Sequence, residues 1–213
     1  MNIKSKNRVN EFGEVFTAQD EINGMLDLVR DESYRIDSRF LEPACGNGNF
    51  LANVLSRKFE VIKKEYCKVK LDFERYTLLA IFNLYGIDIQ LDNVEECRKR
   101  LYKLVFNLFS ECFPNDDSKD FLEVVDFILS KNILWGDALT LKIPNQNNPI
   151  VFSEWSFIKG SLVKRREFLL STIFENKEIN ATPLFQTAPE DIYIPSPSRV
   201  FKIVHFYDLV YEK

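Results

Sequence analysis

The chain has one histidine, four cysteines and no apolar run near the roughly 18 residues that cross a bilayer. Each scarcity removes a class of function. His205, the lone histidine, sits in an apolar run and reads as a packed strand residue, not a catalytic base. Cys45, Cys67, Cys97 and Cys112 show no metal-type pairing at short spacing, so no metal site is expected. Met1 to Asn10 carries cations with no apolar stretch behind them, unlike a secretory signal. The four thiols are therefore expected to be reduced, in a cytoplasmic protein with no membrane association. Positive charge is not in excess: 28 Lys and Arg face 32 Asp and Glu, for a net charge of -4. That argues against coating nucleic acid by bulk charge and leaves room for a local basic patch. There is no internal repeat and no low-complexity tract. Hydrophobic residues make up 46% of 213, enough for the core of one soluble domain and too many for a disordered chain.

The pattern along the chain alternates strands and helices. Polar residues 1–10 are expected to be loose, with order beginning near Gly13. Thr17 and Asp20 have the spacing of a helix cap, and Ile22, Met25, Leu26 and Val29 follow at the helical period. Arg39 to Glu42 reads as a strand ending at Pro43, then a turn over Ala44 to Asn49. A helix opens near Phe50 with Phe50, Leu51, Val54 and Leu55 toward the sheet. Phe73, Tyr76, Leu79 and Ala80 predict a short extra helix. Tyr85 to Ile89 is a second strand, broken only by Gly86. Asp92 with Glu95 suggests another capping box, opening a strong amphipathic helix through Leu108. A further helix carries Phe121 to Leu129; Ile133 to Trp135 is a third strand and Ile150 to Phe152 a fourth. Leu162 to Phe174 is compatible with helix or strand. Pro183, Pro189, Pro195 and Pro197 mark an irregular connection, and Val200 to Val210 reads as one long strand or two short ones. Repeated strand-helix units predict an α/β sandwich with a mostly parallel sheet. Ligands of such sheets sit beyond the carboxyl ends of the strands.

Three such ends carry an acid. Glu42-Pro43-Ala44-Cys45-Gly46-Asn47-Gly48-Asn49-Phe50 puts a Gly-x-Gly turn between strand and helix. Glycines let the backbone approach a ligand, and the helix N-terminus offers N–H groups to a carboxylate or phosphate. Glu42 could accept from an amino group. Asp88, followed by Ile89, suits both hydroxyls of a ribose; the alternative is that it caps the loop or the next helix. Asp137, followed by Ala138, suits the exocyclic amine of an adenine ring; the alternative is an ordinary strand-ending turn. Together they describe a site for an adenosine-bearing ligand with an amino-acid or phosphate tail. Cys45, inside the loop, reads as packing and not as a redox centre.

These residues resemble the S-adenosylmethionine-dependent DNA methyltransferases of adenine-N6 type found in restriction-modification systems. Gly13-Glu14-Val15-Phe16-Thr17 is similar to the family's N-terminal cofactor motif, with Ala18 where Pro is usual. The stretch from Glu42 to Phe50 is similar to its main cofactor loop; Asp88 and Asp137 fall on its ribose and adenine acids. The resemblance implies a class I methyltransferase fold, a Rossmann-like three-layer sandwich with a mostly parallel sheet. It implies S-adenosylmethionine as cofactor, held by Phe16, Thr17, Glu42, Pro43, Ala44, Gly46, Gly48, Phe50, Asp88, Ile89, Asp137 and Ala138. It covers residues 13 to about 140 as a cofactor-binding half, with residues 1–12 a flexible N-terminus and 141–213 a divergent catalytic and substrate half of the same domain.

The divergence is specific. The family's fourth strand ends in Asn or Asp, Pro-Pro and an aromatic residue, which hold the flipped-out base. Here Ser153-Glu154-Trp155-Ser156-Phe157 follows the fourth strand. Either Ser153 or Glu154 accepts from a substrate amine or removes a proton, with Trp155 or Phe157 stacking, or the catalytic tetrad is lost and the domain only binds cofactor. No usual target-recognition domain fits in residues 158–213. Lys164, Arg165 and Arg166, with Lys159, are the notable basic cluster and could touch phosphates of DNA, or form a solvated face. The expectation is a methyltransferase acting on DNA. The alternative is a catalytically silent S-adenosylmethionine-binding subunit whose partner protein supplies target recognition.

Overall fold

The computed structural model describes residues 17–174 and 195–212. Gly13 to Phe16, Pro183, Pro189 and the N-terminal segment expected to be loose lie outside the described residues. Helix α1 (Gln19–Leu28) opens the fold, with α2 (Arg30–Tyr34) directly after it. The cap differs from the expected Thr17–Asp20 pair. Ala18 is the N-cap, and the Glu21 carboxylate reaches back to accept its N–H at 3.2 Å. An alanine offers no side-chain acceptor, so only half of a capping box forms. Ile22 and Leu26 are buried, whereas Met25 and Val29 stay exposed.

Strand β1 (Phe40–Glu42) leads through the glycine turn to α3 (Asn49–Tyr66) and α4 (Lys70–Phe82), then β2 (Leu84–Asp88). Helix α5 (Leu91–Cys112) and α6 (Lys119–Asn132) precede β3 (Ile133–Trp135). The amphipathic spacing of α5 holds: Val94, Cys97, Leu101, Val105 and Leu108 are all buried. The expected Asp92–Glu95 box does not form, because Asp92 lies inside the first turn and Gln90 is the N-cap. Asp88 supplies the bond instead, its Oδ1 accepting from Gln90 N–H at 2.8 Å. The three strands pair parallel in the order β1-β2-β3, with Glu42 opposite Gly86 and Asp88 opposite Trp135. Helices joining successive strands let the pairs run parallel. Phe73, Phe82, Phe109 and Phe121 are essentially fully buried among these helices, each stabilising by roughly 1.5–3 kcal/mol.

The fourth strand departs from expectation. It is β4 (Val151–Lys159), and it does not join the parallel sheet. Gly160, at φ 54°, and Ser161 turn the chain back at once into β5 (Leu162–Leu169). A two-residue turn with glycine in the left-handed region forces antiparallel pairing. The ladder sets Val151 opposite Leu169, Glu154 opposite Arg166 and Trp155 opposite Arg165. Leu162 to Phe174 is thus strand and then helix, ending in α7 (Leu170–Phe174). Strands β6 (Arg199–Val200) and β7 (Val204–His205) both pair with β5. A 3₁₀ turn over Phe206–Tyr211 follows, burying Phe206 and Leu209 against the main core. The fold is therefore mixed α/β: a small parallel sheet flanked by helices, and a separate antiparallel sheet. Among the described residues no helix is long and apolar enough to cross a membrane.

The expectation of four free thiols is corrected at two of them. Cys67 and Cys112, at the ends of α3 and α5, form a disulfide with Cα atoms 5.5 Å apart. Cys45 and Cys97 are free and buried.

Candidate functional site

The glycine turn is fixed from below by sulfur. Cys45 N–H donates to Ile87 O at 2.8 Å, anchoring the loop on β2, and Gly48 N–H closes the turn on Cys45 O at 2.9 Å. Gly46 and Gly48 take φ values of 51° and 81°, which side chains resist. The Cys45 thiol fills the space left by Gly86, where a β-carbon would stand 3.1 Å from the sulfur. Leu51 Cδ1 would stand at 3.0 Å, so a side chain at position 86 would have to push both neighbours back. The neighbouring Cys97 thiol, burial and the nearby Asp88 and Glu42 carboxylates push the Cys45 pKa up, so the thiol stays protonated. Cys45 is packing, as its setting in the loop suggested.

Above the loop lies a cleft of about 660 Å³ at the carboxyl ends of β1, β2 and β3. Thr17, Glu42, Pro43, Ala44, Gly46, Phe50, Asp88, Ile89, Asp137 and Ala138 all line it. The structure brings these expected cofactor residues together from segments as far apart as 17 and 138. Gly48 sits behind the wall against Cys97, and Phe16 lies outside the described residues. Ile22 and Met25 of α1, Asn47, Gln90, Asn93 and Leu139 also line the cleft and were missed. Their one sequence signal was position: Gln90 and Asn93 stand where α5 begins, just past the strand-ending acid. Thr17 is held over the loop by Asn49, whose Nδ2 donates to its carbonyl at 3.2 Å.

The three acids differ in state. Glu42 is half-buried; loss of water raises its pKa, partly offset by a hydrogen bond from the Ala44 backbone. Asp137 accepts from Leu139 N–H at 2.9 Å and Thr140 Oγ1 at 2.8 Å, and these bonds hold its pKa below the usual carboxylate range. Its carboxylate therefore organises the turn after β3 while lining the cleft. Asp88 is buried, with Oδ2 accepting from Gly46 N–H at 2.8 Å and Oδ1 from Gln90 N–H and, at 3.3 Å, Asn93 Nδ2. The helices α3 and α5 both start at the cleft, adding two positive dipole ends.

Ser153, Glu154 and Trp155 are elsewhere. They lie inside β4, not in a loop after a strand, and none of them lines the cleft. Trp155 is buried, stacked on Phe82 with ring centroids 5.5 Å apart, and its Nε1–H donates to Asn132 Oδ1 at 2.8 Å. Ser153 is buried, its Oγ accepting from Arg165 Nε at 3.1 Å. Glu154 pairs with Arg39 and Arg166 beside a second hollow of about 400 Å³ at the outer edge of β1. Of the basic cluster, Arg165 is corrected: it is 2% exposed, and its guanidinium also bonds Glu167 and the Glu212 carbonyl. A side chain so enclosed cannot reach a phosphate. Lys164 and Arg166 remain half-exposed on the other face of β5.

Among the described residues no group of His, Cys, Asp and Glu side chains could hold a metal. The chain matches no family model, no curated protein and no solved structure.

Proposed function

We propose that the cleft binds S-adenosylmethionine and that the chain serves methyl transfer to DNA, at adenine N6, in a restriction-modification or related defence system. The observation behind this reading is the convergence of Glu42, the Gly46–Gly48 turn, Asp88 and Asp137 on one cleft beyond three parallel strands. That arrangement agrees with the resemblance to a class I methyltransferase over residues 13 to about 140. The residues fit the cofactor. The cleft volume lies in the small-ligand range, and Asn47 Oδ1 is buried at the loop with no partner among the described residues, an acceptor for an amino group. Glu42 is a second acceptor, and Ile89, Met25 and Leu139 give apolar walls for a ring.

Bound there, S-adenosylmethionine would supply an activated methyl group on its sulfonium. The chain's own part is to orient, exclude water and bring a nucleophile in line. Lys159 and Lys164 are the members of the basic cluster open to a phosphate backbone, since Arg166 pairs with Glu154.

A second reading is favoured by a specific observation. Ser153, Glu154 and Trp155 are committed to packing and ion pairs away from the cleft, which fits a silent cofactor-binding subunit completed by a partner chain. Transfer of labelled methyl groups to mixed-sequence DNA separates the two, run alone and with the products of neighbouring genes. Transfer by the chain alone supports the first reading. Transfer only on adding a partner supports the second. Cofactor turnover indifferent to DNA would sink both in favour of a small-molecule or protein substrate.

A further inference from the structure

The β4–β5 ladder sets Phe152 opposite Phe168 and Glu154 opposite Arg166. Side chains two residues apart share a face of a strand, so these four point the same way, into the hollow at the outer edge of β1. Its volume of about 400 Å³ is at the small end of ligand pockets, which run from roughly 300 to 1,000 Å³. The apolar part is built by Tyr85, Phe152, Phe168 and Leu170. Phe152 and Leu170 are buried, and Tyr85 meets Phe152 edge-on with ring centroids 5.3 Å apart. The Tyr85 hydroxyl donates to Ser153 O at 3.2 Å, which fixes the ring and spends its polar end. Fixed aromatic walls favour a planar ring over a flexible chain. The charged groups gather at one rim. Glu154 is 19% exposed; its Oε1 accepts from Arg39 Nη2 at 3.0 Å and its Oε2 pairs with Arg166 Nη2. Two guanidiniums against one carboxylate leave one positive charge uncompensated. Among the described residues neither arginine has another hydrogen-bond or ion-pair partner, so each keeps N–H groups to donate within the hollow. A carboxylate matches the guanidinium fork and carries the one charge needed. A phosphate monoester, at about −1.5 to −2 near pH 7, overshoots that charge and faces Glu154.

We infer that this hollow is a second ligand site, for a planar aromatic carboxylate of one or two rings. The ring lies among Tyr85, Phe152 and Phe168, and the carboxylate is held by Arg39 and Arg166. Glu154 sets the two guanidiniums at the rim and limits the site to a single negative charge. Among the described residues the hollow and the cleft share no lining residue, so what the hollow takes does not depend on what the cleft binds.

The test is titration of the full chain, followed by NMR, with 2-naphthoate, its neutral amide, 2-naphthyl phosphate and octanoate. The naphthoate should bind with a Kd of about 0.1 mM, and the amide about tenfold more weakly. Arg39→Met and Arg166→Met should each weaken the naphthoate about tenfold and move the amide by less than about twofold. Glu154→Gln should tighten the naphthoate about threefold, because a competing negative charge is gone. Shift changes should gather on the methyl groups of Leu41 and Leu170 and spare those of Ala44 and Ala138 in the cleft. No saturable binding to the folded chain at millimolar naphthoate would overturn the site, as would shifts confined to the cleft alanines. An amide that binds as tightly as the acid, or an acid indifferent to both arginine variants, would overturn the role of the carboxylate. Octanoate binding as tightly as naphthoate would overturn the planar ring, and tighter binding of the phosphate would overturn the charge limit. Should Arg166→Met not fold, Arg39→Met decides the charge question by itself, since that side chain is 63% exposed.

Discussion

A β-carbon at position 48 would lie 2.5 Å from the Cys97 sulfur, and the backbone there has φ 81°. Two independent constraints therefore select glycine, and Gly48→Ala should cost about 2 kcal/mol or more, read as a fall in denaturant midpoint. Adding Cys97→Ala should recover part of that loss, because it removes the closest contact, with the sulfur, but neither the 3.0 Å contacts with Cα and Cβ of residue 97 nor the strain. Lys58 provides a second residue-scale test. It is fully buried on α3, donating to the carbonyls of Ile36 and Ser38, and burial lowers its pKa to about 7. The folded chain then releases a proton near pH 7 that the unfolded chain keeps until about 10.5. Between those values the unfolded state binds more protons, so stability rises with pH, by at most about 1.4 kcal/mol per unit. Urea unfolding at pH 7 and 9.5 should show the rise, and Lys58→Met should flatten it while lowering stability at both. At this scale the lining of the cleft was largely legible: a glycine turn and three strand-ending acids are local patterns. The partners of those acids were not, because Asp88 meets Gly46 across 42 residues of chain.

At the scale of elements, helices α3, α5 and α6 follow their apolar spacing closely, since helix periodicity is a local property. The β4–β5 hairpin was misread. Ile150 to Phe152 looked like a short buried strand, and the turn at Gly160-Ser161 between two alternating runs was the overlooked signal. The consequence is chemical: Ser153, Glu154 and Trp155 became part of a ladder. Trp155→Ala should therefore cost roughly 3–5 kcal/mol of stability by opening a cavity against Phe82, measured by thermal or urea unfolding. Cofactor affinity, measured below the unfolding transition, should be unchanged. Loss of affinity with stability intact would return Trp155 to the candidate site.

For the whole molecule, two features lie beyond local reading. One is the Cys67–Cys112 bridge, whose cysteines are 45 residues apart and meet only because α3 and α5 pack side by side. Closing a loop of that length predicts a loss of roughly 2–4 kcal/mol on reduction, seen as a lower urea midpoint in reductant and absent from Cys67→Ala. The other is the split between a parallel sheet that frames the cleft and an antiparallel sheet that carries the surface basic residues. Among the described residues, no side chain of the second sheet lines the cleft. The central claim is that the cleft takes an adenosyl cofactor. Its most direct measurement is calorimetric titration of the folded chain with S-adenosylmethionine beside Ile89→Arg, which adds bulk and positive charge at an exposed point of the cleft wall. Micromolar binding that falls by about tenfold or more in the variant is the expected result. A folded chain that shows no heat of binding, or a variant that binds as well as the parent, contradicts it.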